Sequence, residues 1–214
     1  MIIEQLAVGP EQVFCYILGC EATGKGAVID PGGDEEIVLT RIRALSLTIS
    51  SIINTHCHPD HTAGNQFIKE RTGAPVVMHR LDAKMLCDPE ARRFFKELGY
   101  PGEPSPPDQL VEDGDILTMG AYSLKVIHTP GHTPGSICIY CDGNLFTGDS
   151  LFVGAAGRVD VPGGDFMTLM RSLEEKIATL PDETMVWPGH DYGDSLFTTI
   201  GTEKKSNPYL GGEW

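Results

Sequence analysis

Seven residues packed into one stretch carry the chemistry of this chain: Thr55-His56-Cys57-His58-Pro59-Asp60-His61. Three imidazoles and a carboxylate fall within six positions, directly after the apolar run Ile49-Ser50-Ser51-Ile52-Ile53-Asn54. Imidazole nitrogen and carboxylate oxygen are metal donors. A surface loop has no use for so many histidines, and an apolar core has no room for them. The same event recurs downstream. A hydrophobic strand ends and a tight Pro/Gly turn presents one more donor: His132, then Asp149, then His190. Of the seven histidines in the chain, only His79 and His128 fall outside this pattern. His79 lacks donor-type neighbours and reads as structural. His128 lies in strand material and reads as a core group or a support behind the ligands.

His56, His58, Asp60, His61, His132, Asp149 and His190 are too many N/O donors for one tetrahedral ion. They suit two divalent cations sharing a carboxylate and a water, an arrangement used for hydrolysis. No thiolate joins the set, which leaves the metal open: imidazole and carboxylate accept zinc, placed first here, and also iron or manganese. Asp60 and Asp149 are the carboxylates closest to any catalytic work.

The elements that must position these groups follow from pattern. Ile2 to Val8 and Gln12 to Leu18 read as a hairpin, and Gly26-Ala27-Val28-Ile29-Asp30 as a third strand. Asp34 is an N-cap type residue ahead of a helix with apolar Ile37, Val38, Ile42 and Leu45. Ala63 to Arg71 reads as a helix, and Pro75 to His79 as a strand. Residues 80–108 break the rhythm with two helical pieces and the proline-rich segment from Tyr100 to Pro107, a wall or lid for a site or a packed connector. Strands follow over Ser123–His128, Ile137–Tyr140, Asn144–Thr147 and Met185–Trp187. Asp165 caps a helix with Phe166, Leu169, Met170, Leu173 and Ile177 on one face, and a last helix is expected from Ser195 toward Lys205. Strands first and strand–helix alternation second, in both halves, predict two packed mixed β-sheets with helices on their outer faces, an α+β class with donors on one rim.

Composition narrows the function. The 214 residues suit one domain spanning 1–214, and the net charge of −14 argues against nucleic acid or anionic membrane as partners. No stretch approaches the roughly 20 apolar residues of a membrane span. The N-terminus lacks a basic n-region, so no signal peptide is expected. Six dispersed cysteines read as reduced, which points to the cytoplasm. Cys138-Ile139-Tyr140-Cys141 has CxxC spacing but sits in strand material, so it reads as two ordinary strand residues.

Thr55–His61 resembles the HxHxDH signature of the metallo-β-lactamase superfamily. Asp30 after Val28-Ile29, His132 within Thr129-Pro130-Gly131-His132-Thr133-Pro134-Gly135, Asp149 after Phe146-Thr147-Gly148 and His190 after Pro188-Gly189 resemble its remaining motifs in order. The resemblance implies an αβ/βα sandwich with a two-metal site at one sheet edge. It implies His56, His58 and His132 on a first metal, Asp60, His61 and His190 on a second, Asp149 bridging, and Asp30 as a support behind them. Within the superfamily, Leu145–Phe152 and Gly157-Arg158 look like glyoxalase II, the hydroxyacylglutathione hydrolase. That likeness implies thioester hydrolysis, with a glutathione thioester as the small-molecule partner. Lactamases of this fold generally place a cysteine where Asp149 stands, which disfavours that activity. Only 24 residues follow His190, so the helical C-terminal domain of typical glyoxalase II is expected to be missing. Arg158, Lys204 and Lys205 are then the candidates for holding the anionic thiol. Rivals from the same fold are a persulfide dioxygenase with one iron, a lactonase and a phosphodiesterase.

Overall fold

The computed structural model describes residues 1–100, 102 and 104–211. Its first sheet holds six strands: β1 Ile2–Val8, β2 Val13–Cys20, β3 Lys25–Ile29, β4 Thr48–Ile53, β5 Val76–His79 and β6 Gln109–Val111, side by side in that order. The first three run antiparallel and the rest pair in parallel. The crossovers are helical: α1 Glu35–Ala44, then α2 Pro59–Thr62 and α3 Asn65–Thr72, then α4 Arg80–Met85 and α5 Pro89–Glu97.

The second sheet is built from β7 Ile116–Met119, β8 Tyr122–His128, β9 Ile137–Cys141 and β10 Asn144–Gly148. A short ribbon, β11 Leu151–Phe152 and β12 Ala155–Ala156, stands apart from it. Helix α6 Phe166–Ser172 continues as a wider π turn to Ile177. It leads to β13 Met185–Pro188, β14 Thr198–Thr199 and α7 Ile200–Ser206. The order across this sheet is β14-β13-β10-β9-β8-β7, with β10 and β13 parallel.

Alternation along the strands explains the layering. In β2, Phe14, Tyr16 and Leu18 face the second sheet and meet Leu124, Val126, Ile139 and Phe146. Cys15 and Ile17, one residue out of phase, face α1 and pack with Val38 and Ile42. Because both faces are covered, β2 is buried along its whole length. On the outer face of the second sheet, Cys138, Leu145 and Val186 pack with Leu169, Leu173, Ile177 and Ile200. The result is helix–sheet–sheet–helix, the expected αβ/βα sandwich. Among the described residues no helix is long and apolar enough to cross a membrane.

Three expectations change. Asp34 does not cap α1; its backbone is left-handed at φ 47°, and its carboxylate accepts from the Gly9 N–H at 2.8 Å. The helix expected over 63–71 is α3, which begins two residues later at Asn65, and a separate single turn, α2, precedes it. The last helix begins at Ile200 with Thr199 as its cap, because Thr198-Thr199 is drawn into the sheet beside Val186. Asp165 caps α6 as expected, accepting from Thr168 N–H at 2.7 Å. Cys138 and Cys141 are strand residues of β9 and are free thiols. Of the segment expected to form a wall or lid, Pro101 and Glu103 lie outside the described residues, as do the chain's last three.

Candidate metal centre

Strand direction gathers the donors. β3 and β4 are parallel, so Asp30 and the 55–61 loop leave the first sheet at the same end. β8 and β10 both run antiparallel to β9, and β10 is parallel to β13. The turns carrying His132, Asp149 and His190 therefore leave the second sheet together. Pro59 at the first position of α2 stops the loop and starts one helical turn, which lifts Asp60 and His61 to the rim. Gly148 precedes Asp149 in a left-handed backbone at φ 48°, and a Cβ there would strike the Thr55 hydroxyl at 2.3 Å. Only glycine lets the two sheets approach so closely at this point.

The gathered atoms fall into two sets. His132 Nε2 lies 3.3 Å from His56 Nε2 and 3.1 Å from His58 Nδ1. His61 Nε2 lies 3.3 Å from His190 Nε2, with Asp60 Oδ2 at 3.6 Å and 3.5 Å from the two. Asp149 stands between the sets: Oδ1 is 3.3 Å from His61 Nε2, and Oδ2 is 3.7 Å from both His132 Nε2 and His190 Nε2.

The ring nitrogens turned away from the centre show which tautomers are held. His132 Nδ1–H donates to the Arg158 carbonyl at 2.7 Å, and His61 Nδ1–H donates to Asp30 Oδ2 at 3.0 Å. The Thr55 hydroxyl donates to Asp30 Oδ2 at 2.6 Å, which leaves its oxygen to accept from His56 Nδ1–H at 3.1 Å. In each case the proton sits on the outer nitrogen and a lone pair points inward. Burial, reinforced by the neighbouring rings, holds His56 well below the ordinary histidine pKa, and it lowers His58 to about 3. Burial works against the Asp149 carboxylate, yet His61, His56 and His190 outweigh it and keep that group ionised. At His61 burial is outweighed by Asp149, Asp60 and Asp30, which hold its pKa well above the ordinary value, so a cation bound there displaces a proton; at His56 and His58 the neutral imidazole is already the state that binds one.

The arrangement fits divalent cations on its own evidence. His56 Nε2 and His132 Nε2, each ring carrying its proton on the outer nitrogen, face one another at 3.3 Å with no hydrogen between them to share. Asp149 Oδ1 is buried and has no hydrogen-bond donor. Each of the sets His56/His58/His132 and Asp60/His61/His190 brings three donor atoms within 4.8 Å of one another, as does His56/His61/Asp149. Unpaired buried lone pairs are costly, and a cation is the partner that resolves them.

Around the donors a cleft of about 170 Å³ is lined by Glu11, Phe94, Leu98, Tyr100, Arg158, Val161 and Tyr192. Three of these, Phe94, Leu98 and Tyr100, come from α5 and the residues after it, so part of the 80–108 segment does form a wall. Tyr192 stacks on His190, ring centroids 4.8 Å apart and planes within 5°. Arg158 is the one Lys or Arg among these lining residues, and Asp160 holds its guanidinium with two bonds of 2.7 and 2.8 Å.

Lys204 and Lys205 do not reach the cleft. Lys204 Nζ is held by Asp182 at 2.7 Å, and Lys205 lies exposed on the same helix. Their neighbours Glu203 and Asn207 do the structural work of that segment. Glu203 Oε2 accepts from Gly154 N–H and from Asn207 Nδ2, and Asn207 donates to the Ala155 carbonyl. This clamps the ribbon that follows Asp149. His128 stacks on His79 at 4.0 Å and donates to the Pro134 carbonyl through Nε2, a brace under the His132 turn.

Sequence reasoning passed over Asp82. It is fully buried on α4 and accepts from Cys57 N–H, Thr133 Oγ1–H and Gly135 N–H. Nothing in the local pattern separates it from a solvent-facing helix acid; its spacing to the ligand motifs exists only in three dimensions.

Comparison with known proteins agrees with this geometry. The profile described as the metallo-beta-lactamase superfamily matches residues 8–190. The hydroxyacylglutathione hydrolase GloC of Haemophilus influenzae is 35% identical over 216 residues, covering 98% of each chain. Among solved structures, the BLEG-1 B3 metallo-beta-lactamase superposes with a TM-score of 0.89 at 36% identity, covering 99% of this chain and 100% of that one. ETHE1 from Myxococcus xanthus gives 0.83 at 34% identity, covering 99% and 85%. TTHA1623 in a di-iron-bound form gives 0.82 at 33% identity, covering 97% and 100%. The sandwich, the ordered motifs and the match across residues 8–190 lead to one conclusion: this chain belongs to the metallo-β-lactamase superfamily, whose members use divalent metals.

Proposed function

We propose that this enzyme is a two-metal thioester hydrolase acting on a hydroxyacyl thioester of the glutathione type. His56, His58 and His132 would hold the first cation, Asp60, His61 and His190 the second, and Asp149 would bridge them. The observation that carries the reading is the position of Asp149, whose two oxygens face both donor sets at 3.3–3.7 Å. Two such cations supply a water made nucleophilic near neutral pH and a positive field for the oxygen that gains charge.

The chain's own residues do the rest. Asp30 and the Arg158 carbonyl keep the protons of His61 and His132 on their outer nitrogens. The aromatic and aliphatic wall of Phe94, Leu98, Tyr100 and Tyr192 limits water around the reacting carbonyl. Beyond the donors, the cleft offers Glu11, Tyr100, Tyr192 and Arg158 as titratable groups. Burial raises the pKa of both tyrosines, so they stay protonated, available as hydrogen-bond donors to a substrate but not as strong acids. That suits a thiol leaving group, whose conjugate acid has a pKa of about 8.5 and departs as thiolate. An amine leaving group needs a proton delivered to it. In this reading Arg158 would meet a carboxylate of the carrier, exchanging its pairing with Asp160. Likeness to GloC over the full length of both chains supports the same substrate class.

A second reading, β-lactam hydrolysis, is favoured by the similarity to BLEG-1, also along the whole chain. The one-iron dioxygenase reading calls for a single cation and leaves some of the gathered donors without a role. The deciding experiment is metal analysis of the purified protein, followed by assays with S-D-lactoylglutathione, a β-lactam and glutathione persulfide. Two metals with lactoylglutathione cleavage supports the thioester reading. Two metals with β-lactam cleavage alone replaces it with the second reading. One iron with oxygen uptake on persulfide removes both.

A further inference from the structure

The three imidazoles of the first set come from two different sheets. His56 and His58 ride the loop after β4, and His132 rides the loop after β8. Strand ladders fix spacing within a sheet but not between sheets, so the distance from His132 to its partners needs another determinant. One tether is the Ile137 N–H donating to the Thr55 carbonyl at 2.8 Å, at the base of both loops. The other is Asp82, and it acts at the level of the ligands themselves. Its Oδ2 accepts from the N–H of Cys57, the residue between His56 and His58, at 2.7 Å. The same oxygen accepts from the hydroxyl of Thr133, next to His132, at 2.8 Å. Its Oδ1 accepts from Gly135 N–H at 2.6 Å.

A carboxylate on a helix interior normally points to water, and burying one costs free energy. Asp82 is 0% exposed, and these three bonds are what compensates it. The approach is close: a Cβ on Gly135 would come within 2.5 Å of the Asp82 backbone nitrogen and of Oδ1. The Thr133 hydroxyl also meets Ser136 Oγ at 2.8 Å, a contact within the same loop that fixes the hydroxyl's position. Among the described residues the Asp30 side chain has no bond of this kind to the His132 loop; its bonds run to Thr55 and His61.

We infer that Asp82 is the positioning residue of the first cation site: it sets the separation between His132 and the His56/His58 pair, as Asp30 fixes His61. The inference rests on the ligand sets proposed above, and its test reads cation binding without any substrate. Full-length His190→Ala leaves only the first set complete, and His132→Ala only the second. Cobalt(II) affinity is measured in each background with a chromophoric competing chelator. Asp82→Asn places an NH₂ against N–H and O–H donors. It is expected to weaken binding roughly 10- to 100-fold in the His190→Ala background and to leave it unchanged in the His132→Ala background. Thr133→Val, which deletes one of the three bonds, weakens the first site in the same direction, and Thr133→Ser restores it.

Equal weakening in both backgrounds would mean Asp82 only holds the fold, and would overturn the role. So would unchanged affinity in Asp82→Asn with native circular dichroism. If Asp82→Asn does not fold, the Thr133 pair decides: Val and Ser both matching the parent overturns the inference, and Val weak with Ser restored supports it. A parent chain that binds no cobalt removes the ligand sets themselves, and this role with them.

Discussion

Asp30 Oδ2 receives two hydrogen bonds at once, from His61 Nδ1–H at 3.0 Å and from the Thr55 hydroxyl at 2.6 Å. Through Thr55 it also reaches His56, whose Nδ1 lies 3.1 Å from that hydroxyl. One carboxylate thus sets the tautomer of a histidine in each donor set. Its backbone is left-handed at φ 49°, a conformation aspartate tolerates better than most residues. Asp30→Asn is expected to lower cation affinity roughly 10- to 100-fold, with the larger loss at the His61 side. Competition titration in the His132→Ala background measures that side alone. Affinity equal to the parent's would show that the tautomer is set elsewhere.

The clamp on the ribbon after Asp149 predicts a stability effect. Glu203→Ala would take the acceptor from the Gly154 N–H, on an exposed residue that water can reach, and from one N–H of the fully buried Asn207 Nδ2. A buried group left unsatisfied costs about 1–3 kcal/mol. Urea denaturation of Glu203→Ala should show a lower midpoint at unchanged slope, corresponding to a loss of unfolding free energy of that size. A midpoint matching the wild type would mean the 151–156 ribbon is held by packing alone.

Substrate contacts are expected to divide sharply between Arg158 and the two lysines. Arg158→Ala keeps the backbone carbonyl that orients His132 and removes only the guanidinium in the cleft. It should raise KM for lactoylglutathione while largely sparing kcat. Lys204→Ala breaks a surface pair with Asp182, an interaction contributing under about 1 kcal/mol, and should leave KM unchanged. Steady-state kinetics on both variants checks this; a KM rise in Lys204→Ala alone would place the carrier on α7.

His79 gives a pH signature. Burial, then the stacked His128 and nearby Arg80, lower its pKa from 6.5 to about 4, with Asp113 opposing and Lys176 adding to the effect. The unfolded chain therefore takes up a proton near pH 6.5 that the folded one refuses until about pH 4. The stabilisation is complete above 6.5 and is lost as pH falls from 6.5 toward 4. With chelator present throughout, wild-type Tm should fall more steeply than that of His79→Gln across this window. Parallel curves would show that His79 titrates alike in both states.

How much of this the sequence disclosed depends on the range of each interaction. The His56–His61 cluster is legible because its donors lie side by side in the chain. His132, Asp149 and His190 are legible because each follows a strand through a Pro/Gly turn. The two-sheet sandwich follows from period-2 runs such as β2. Asp34 misleads because a good cap residue was read without its backbone angle, which the Gly9 contact imposes. Lys204 and Lys205 mislead because charge alone does not say which side of α7 meets the cleft. Asp82, Glu203 and Asn207 are polar residues whose partners lie far away in sequence, and no local pattern marks them as buried.

The central claim is that the seven donors hold two cations with Asp149 between them. Crystals grown with zinc, iron or manganese and measured at the metal absorption edge test it directly. The account predicts two anomalous peaks about 3.5–4 Å apart. One should be ringed by His56, His58 and His132, the other by Asp60, His61 and His190, with Asp149 touching both. A single peak at saturating metal, or two peaks away from these side chains, would contradict it.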